Sequence, residues 1–274
     1  MPGESDDSVR GEALPEIDIT VPHSARMWNY WLGGKDYFAV DREAAEAFLS
    51  IYPGYYAKAR ACRWFLQRVV RYLTVDAGIH QLLDVGTGLP TADNTHEIAQ
   101  RHRPDARIVY VDNDPLVLAH ARALLVSSPE GVTRYVHADV QDTQRIIDAA
   151  SQTLDLTQPV ALILFGILGH VDTHAEARSI VQGLMGALPS GSFLAVCDGT
   201  ATNDAYLKAN QQHDEENEDG VPYRPRSEAE IAAYFDGLEL VEPGVVPIHT
   251  WRVEPTKFGS SEPVDESGGI GRKP

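Results

Sequence analysis

Three aspartates stand at the ends of short apolar segments and are the first candidates for chemistry: Asp84 in Leu82-Leu83-Asp84-Val85, Asp112 in Val109-Tyr110-Val111-Asp112, and Asp139 in His137-Ala138-Asp139-Val140. A carboxylate at the end of a buried strand can accept both hydroxyls of a ribose, and Asp112 has that placement. Asp114 precedes Pro115 and is better suited to capping the helix that follows. Asp84 leads into Gly86-Thr87-Gly88. Glycine allows positive φ and carries no Cβ, so such a turn can pass close beneath a bound molecule. The turn departs from a dinucleotide fingerprint in three ways. Thr91 occupies the third glycine position, Pro90 removes a backbone donor, and the Asp84 charge would repel a pyrophosphate while favouring a cationic group. His170, just beyond a fourth apolar segment, is the candidate general base, with His23, Tyr30, Tyr37 and Asp198 as weaker alternatives.

These residues need a sheet to hold them. Strands are expected over residues 79–85, 108–111, 132–136, 160–165 and 192–197, with helices between them. A helix-like segment at 92–101, with Thr91 as its cap, follows the glycine turn. Asp114-Pro115, Asp142, Thr173 with Glu176 and Ser227 with Glu230 mark other helix starts. Strand and helix in alternation give an α/β fold: a Rossmann-like, doubly wound, mostly parallel sheet. Further strands at 238–241 and 245–253 are separated only by Glu242-Pro243-Gly244. So short a link excludes a parallel crossover and predicts an antiparallel hairpin at the end of the sheet.

Ahead of the sheet, residues 21–78 read as an aromatic helical cap. Cys62, Phe65, Leu66, Val69, Tyr72 and Leu73 form a stripe that a helix would bury, whereas Arg60, Arg63, Gln67 and Arg71 share another face. Trp28, Tyr30 and Phe38 could exclude water from a site, and the Gly33-Gly34 turn could close over ligand. The acidic stretch 210–220 reads as a solvated helix end or a loop across the ligand mouth. Residues 1–20 and 256–274 read as mobile tails flanking a main domain at 79–255.

Composition narrows the function further. The chain has 274 residues and a net charge of -17, with 40 acidic against 23 basic side chains. That balance argues against a phosphate-binding nucleic-acid surface. The longest apolar run, 160–169, is too short to span a bilayer, and the first ten residues lack the pattern of a signal peptide. Cys62 and Cys197 have neither disulfide-framework nor metal spacing and read as buried free thiols in a reducing, cytoplasmic setting.

The order Leu82-Leu83-Asp84-Val85-Gly86-Thr87-Gly88, Val109 through Pro115, His137-Ala138-Asp139-Val140, and the apolar strand into Phe165-Gly166 resembles class I S-adenosylmethionine-dependent methyltransferases. Val21-Pro22-His23-Ser24-Ala25-Arg26, Trp31-Leu32-Gly33-Gly34-Lys35-Asp36 and Gly88-Leu89-Pro90-Thr91-Ala92-Asp93-Asn94 narrow the resemblance to the actinobacterial S-adenosyl methyltransferase family formerly called a domain of unknown function. The resemblance implies a seven-stranded sheet with an antiparallel terminal strand and S-adenosyl-L-methionine as cofactor, with S-adenosyl-L-homocysteine as product. It implies cofactor contacts from Asp84, Gly86, Thr87, Gly88, Asp112, Asn113, Asp139, Val140, Phe165 and Gly166, joined from the cap by Tyr30 and Gly34. Asp139 would take the adenine amino group, with the Val140 N–H beside it. The acceptor is expected to be a small molecule. A sensor that binds the cofactor without turnover, and an NAD-dependent oxidoreductase, stand as the alternatives.

Overall fold

The computed structural model describes residues 17–91, 93–124, 127–253 and 262–274. Five strands, β1 (Gln81–Val85), β2 (Arg107–Asp112), β3 (Val132–His137), β4 (Ala161–Phe165) and β5 (Phe193–Gly199), pair in parallel in the spatial order β3-β2-β1-β4-β5. Period-two alternation divides their side chains between two faces. Leu83, Val85, Val109, Val111, Leu162, Leu164, Leu194 and Val196 pack on one side. Leu82, Ile108, Tyr110, Ala161, Ile163, Phe193, Ala195 and Cys197 pack on the other. Burial on both faces explains the near-continuous apolar runs.

Helices α1 (Ser24–Trp31), α2 (Ala39–Ile51) and α3 (Tyr55–Arg71) precede the sheet, and α3 continues as a π-helical turn, Tyr72–Asp76. The expected stripe is buried: Cys62, Phe65, Leu66, Val69 and Leu73 are each at most 9% exposed and join the second face of the sheet. Thus α3 is a layer of the main fold, whereas α1 and α2 share an aromatic cluster, Trp31, Phe48, Tyr52, Tyr55 and Tyr206, with a later helix, α8 (Asp204–Glu216). The remaining helices are α4 (Thr95–His102), α5 (Pro115–Leu124), α6 (Thr143–Ala150), α7 (His174–Gly186) and α9 (Glu228–Ala232). Asp114, Asp142, Thr173 and Ser227 cap as expected, their side-chain oxygens accepting from Leu116, Arg145, Glu176 and Glu230 N–H. Thr91 does not cap. Pro90 delays the helix until Thr95, where Asn94 is the N-cap with Glu97 as its reciprocal partner.

The sheet's far end differs from expectation. β6 (Glu239–Leu240) and β7 (Val246–Pro247) do not form a hairpin with each other, and among the described residues the sheet has eight strands, not seven. Both β6 and β7 pair antiparallel with β8 (Glu266–Arg272), which itself pairs antiparallel with β5. They are two halves of one edge strand. The link between them is a turn closed by the Gly244 N–H on the Val241 carbonyl at 2.8 Å, after which the chain resumes its direction along β8. The stretch read as a mobile second tail therefore contains an inner strand whose first six residues are buried. Residues 1–16 of the first expected tail and 256–261 of the second lie outside the described residues.

Candidate active site

The carboxyl ends of β1 to β5 open into a cavity of about 260 Å³ roofed by α1 and floored by α3 and β8. Its lining includes Asp84, Gly86, Thr87, Gly88, Asp112, Asn113, Asp139, Val140, Phe165, Gly166 and His170. Parallel sheets bind ligands at this edge because the order of strands reverses between β1 and β4, leaving a crevice between diverging connections.

The turn after β1 uses its glycines in two ways. Gly86, at φ +75°, passes so close to Ile167 that a Cβ would lie 2.6 Å from that side chain; Gly88, at φ +67°, faces open space. The first glycine packs the turn and the second leaves room for a ligand. Asp112 fixes this geometry. Its Oδ2 accepts from the Gly88 N–H at 2.8 Å and its Oδ1 from the Asp114 N–H at 3.0 Å. A carboxylate has about four acceptor sites, so lone pairs remain for hydroxyls of a ligand. Burial pushes the Asp112 pKa up, opposed by those two backbone donors.

Asp84 is 6% exposed, and burial raises its pKa to about 6, with Thr95 and the Arg63 charge pulling the other way. The Thr95 hydroxyl donates to its Oδ2 at 2.6 Å. Arg63 reaches the same end of the cavity from α3 and donates to the Asp93 carbonyl at 2.6 Å. One wall thus offers a carboxylate and a guanidinium together, a match for a zwitterionic group. On the other side, Asn113 Nδ2 donates to Asp139 Oδ2 at 3.1 Å, and Asp139 Oδ1 accepts from the Gln141 N–H at 2.9 Å.

His170 follows β4 in a short 3₁₀ turn, Leu168–His170. Its Nδ1 lies 3.1 Å from the Pro222 carbonyl, a contact that assigns the proton to Nδ1 and leaves Nε2 as an acceptor. Burial depresses its pKa to about 4, so the ring is neutral at pH 7. The ring packs edge-on against Tyr223, whose hydroxyl donates to buried Asp198. Burial raises Asp198 to about 7.

Two sequence-derived site residues lie elsewhere. Tyr30 is outside the cavity lining, donating to Glu46 Oε1 at 3.0 Å and packing on Tyr37. Gly34 wraps the end of α1; a Cβ there would sit 2.2 Å from Asn29 Oδ1, the atom that receives the Asp36 N–H. Helix termination accounts for this glycine pair, and Asn29 and Leu32 at that end of α1 line the cavity. Of the three aromatics expected to exclude water, Trp28 lines the cavity, while Phe38 lies under the Arg26 guanidinium. Among the weaker base candidates, His23 lines the cavity. Its Nδ1 caps α1 by accepting from the Ala25 N–H. Most of the acidic stretch 210–220 forms the end of α8 and the turn after it, and none of its residues lines the cavity, which Val221 just beyond it touches. Sequence reasoning missed Arg63, Leu66 and Glu266 in the lining, together with the two cysteines. The separate arginine face of α3 was the available signal for Arg63; Glu266 had none.

Acidic residues at the ends of three successive parallel strands, around one cleft in a sheet completed by an inserted antiparallel strand, define a Rossmann-like methyltransferase fold. Comparison with known proteins agrees. Residues 10–274 match the model of the family described as S-adenosyl methyltransferase, and the chain belongs to that family. A DUF574 family protein from Streptomyces avermitilis is 43% identical, with a TM-score of 0.89, covering 94% of this chain and 100% of that one. A candidate methyltransferase from Thermobifida fusca is 39% identical, with a TM-score of 0.85, covering 93% of this chain and 96% of that one. A SAM-dependent methyltransferase from Anabaena variabilis shares the fold at 12% identity, TM-score 0.51, covering 96% and 100% of the two chains. None of the curated proteins matches. The protein is therefore a methyltransferase by family, and S-adenosylmethionine is its cofactor.

Proposed function

We propose that the cavity binds S-adenosylmethionine with its ribose on Asp112, its adenine between Asn113, Asp139 and Val140, and its methionine end on Asp84 and Arg63, and that a small-molecule acceptor enters beside Trp28, Leu66 and His170. The carrying observation is the arrangement around Asp84: a buried carboxylate and an arginine at one end of a cleft whose other end has a strand-terminal carboxylate beside an open glycine. An ammonium and a carboxylate on one ligand would satisfy both charges of the first pair, and vicinal hydroxyls the second. The pyrophosphate of NAD would meet Asp84 unfavourably.

The cofactor supplies a methyl group on a sulfonium; the chain supplies placement. Alignment of two bound reactants can account for much of the acceleration without a covalent enzyme intermediate. His170 Nε2, unprotonated at pH 7, is positioned to take a proton from a hydroxyl or amine acceptor, and the Pro222 carbonyl holds its tautomer. Trp28, packed edge-on against Trp31 and Tyr55, gives the acceptor a rigid apolar wall.

Calorimetry with S-adenosylmethionine, S-adenosylhomocysteine and NAD tests the reading. Binding of the two adenosyl compounds but not NAD is expected, with Asp112→Ala losing about 1–3 kcal/mol of that affinity. Failure of the parent chain to bind either adenosyl compound would overturn it. A screen of hydroxyl, amine and thiol acceptors that reads demethylated cofactor separates an enzyme from a sensor.

A further inference from the structure

The floor of the cavity holds a cluster that neither the cofactor nor His170 uses. Cys62 comes from α3, Cys197 from β5 and Glu266 from the start of β8; all three are buried, and all three line the cavity. Cys197 Sγ lies 4.0 Å from Cys62 Sγ and 3.7 Å from Glu266 Oε2, and the three donor atoms fall within 4.8 Å of one another. In a tetrahedral zinc site, bonds of about 2.3 Å to sulfur and 2.0–2.2 Å to oxygen give S···S and S···O edges of about 3.8 and 3.5 Å. The two edges at Cys197 therefore already stand near the spacing of such a tetrahedron, and the third, Cys62 to Glu266, lies within 4.8 Å.

We propose that Cys62, Cys197 and Glu266 form a binding site for a thiophilic divalent cation of the zinc class, with its fourth position open to the cavity. Three arguments support this site. Two thiolates select a soft or borderline cation over magnesium or calcium. Lys58, itself fully buried, places Nζ 3.0 Å from Glu266 Oε1, leaving Oε2 on the cysteine side. It is the outer-shell donor expected behind a ligating carboxylate. Charge also balances: two thiolates and a carboxylate against a divalent ion and the Lys58 ammonium leave a neutral cluster, which a buried site requires. Binding releases the two thiol protons to solvent through the cavity mouth. Three protein ligands with an open fourth position is the pattern of catalytic rather than structural zinc sites. If the methyltransferase reading holds, the open position would take the sulfur or oxygen of the acceptor.

The full chain, stripped with a chelator under reducing conditions and titrated with zinc and with cobalt(II), provides the test. One equivalent of either ion is expected by equilibrium dialysis with elemental analysis, and the cobalt form should show near-ultraviolet thiolate-to-metal absorption with intense tetrahedral visible bands. Cys62→Ser with Cys197→Ser should abolish both signals, and Lys58→Met should weaken binding by about 10–100-fold. Thermal melts of each variant check folding; if the double serine variant does not fold, cobalt absorption in the parent and its loss in Glu266→Gln decide the matter. A parent chain that binds less than half an equivalent, or cobalt bound without thiolate absorption, would overturn the proposal, as would equal binding by the folded double variant. Cofactor calorimetry on the stripped protein is scored separately, so loss of the methyltransferase reading and loss of the metal site give different results.

Discussion

Asp84 is a charge whose state the fold controls. Burial brings its pKa to about 6, so below that pH the free protein carries a neutral carboxyl where the proposed ligand presents an ammonium. Cofactor affinity should therefore fall by up to tenfold for each pH unit below about 6 and level off above it. Asp84→Asn should bind more weakly at pH 7 and lose that dependence; calorimetry from pH 5 to 8 measures both. The aspartates and glycines of the β1 turn were legible because strand, carboxylate and turn are neighbours in the chain. Arg63 was legible only as part of a polar face of α3, and Glu266 not at all, since each reaches the cavity by tertiary packing. Tyr30 and Gly34 show the converse: an aromatic and a glycine in a suggestive stretch, both used to finish and pack α1.

At the scale of elements, β8 shows what periodicity cannot reveal. Ser267-Gly268-Gly269-Ile270-Gly271 has little β propensity, and glycine weakens strands, so the stretch reads as a loop. The glycines are there for space. A Cβ on Gly268 would lie 2.4 Å from the Val196 carbonyl and 2.8 Å from Phe65, and one on Gly271 would lie 2.9 Å from Phe235. Gly268→Ala should destabilise the protein by at least about 2 kcal/mol, because the nearest clash is with backbone that cannot rotate away. A chain truncated before Glu266 should lack a cooperative thermal transition, since β5 loses its antiparallel partner and β6 and β7 lose the strand they pair with. Circular dichroism distinguishes this from the silent truncation expected of a mobile tail. The parallel strands were legible because four buried apolar runs, and the β-branched, partly exposed β3, recur with helices between them. The interrupted edge strand was not, because a three-residue turn looks the same whether the chain reverses or resumes its direction.

For the molecule as a whole, buried titratable groups set opposing pH dependences. His170, lowered to about 4, is neutral when folded but protonated when unfolded between pH 4 and 6.5, so its contribution to stability is lost as pH falls through that window. Asp84 and Asp198, raised to about 6 and 7, are protonated when folded and ionised when unfolded, so theirs is lost as pH rises from about 4 to 7. The histidine partly cancels the aspartates. His170→Asn should therefore cost about 2 kcal/mol more at pH 6.5 than at pH 4.5 relative to the parent, read from urea unfolding at the two values.

The inserted position of β8 also bears on how the protein is made. Residues of β8 follow those of every other described strand, yet β8 sits between β5 and the edge pair β6 and β7. Synthesis delivers those neighbours first, and until β8 is present β5 has a free edge and β6 and β7 have no described strand to pair with. That interval offers a ready template for pairing with another chain. Pairing of β8 both seals the sheet and delivers Glu266 to the cavity, so the site cannot be finished before that edge is protected from aggregation.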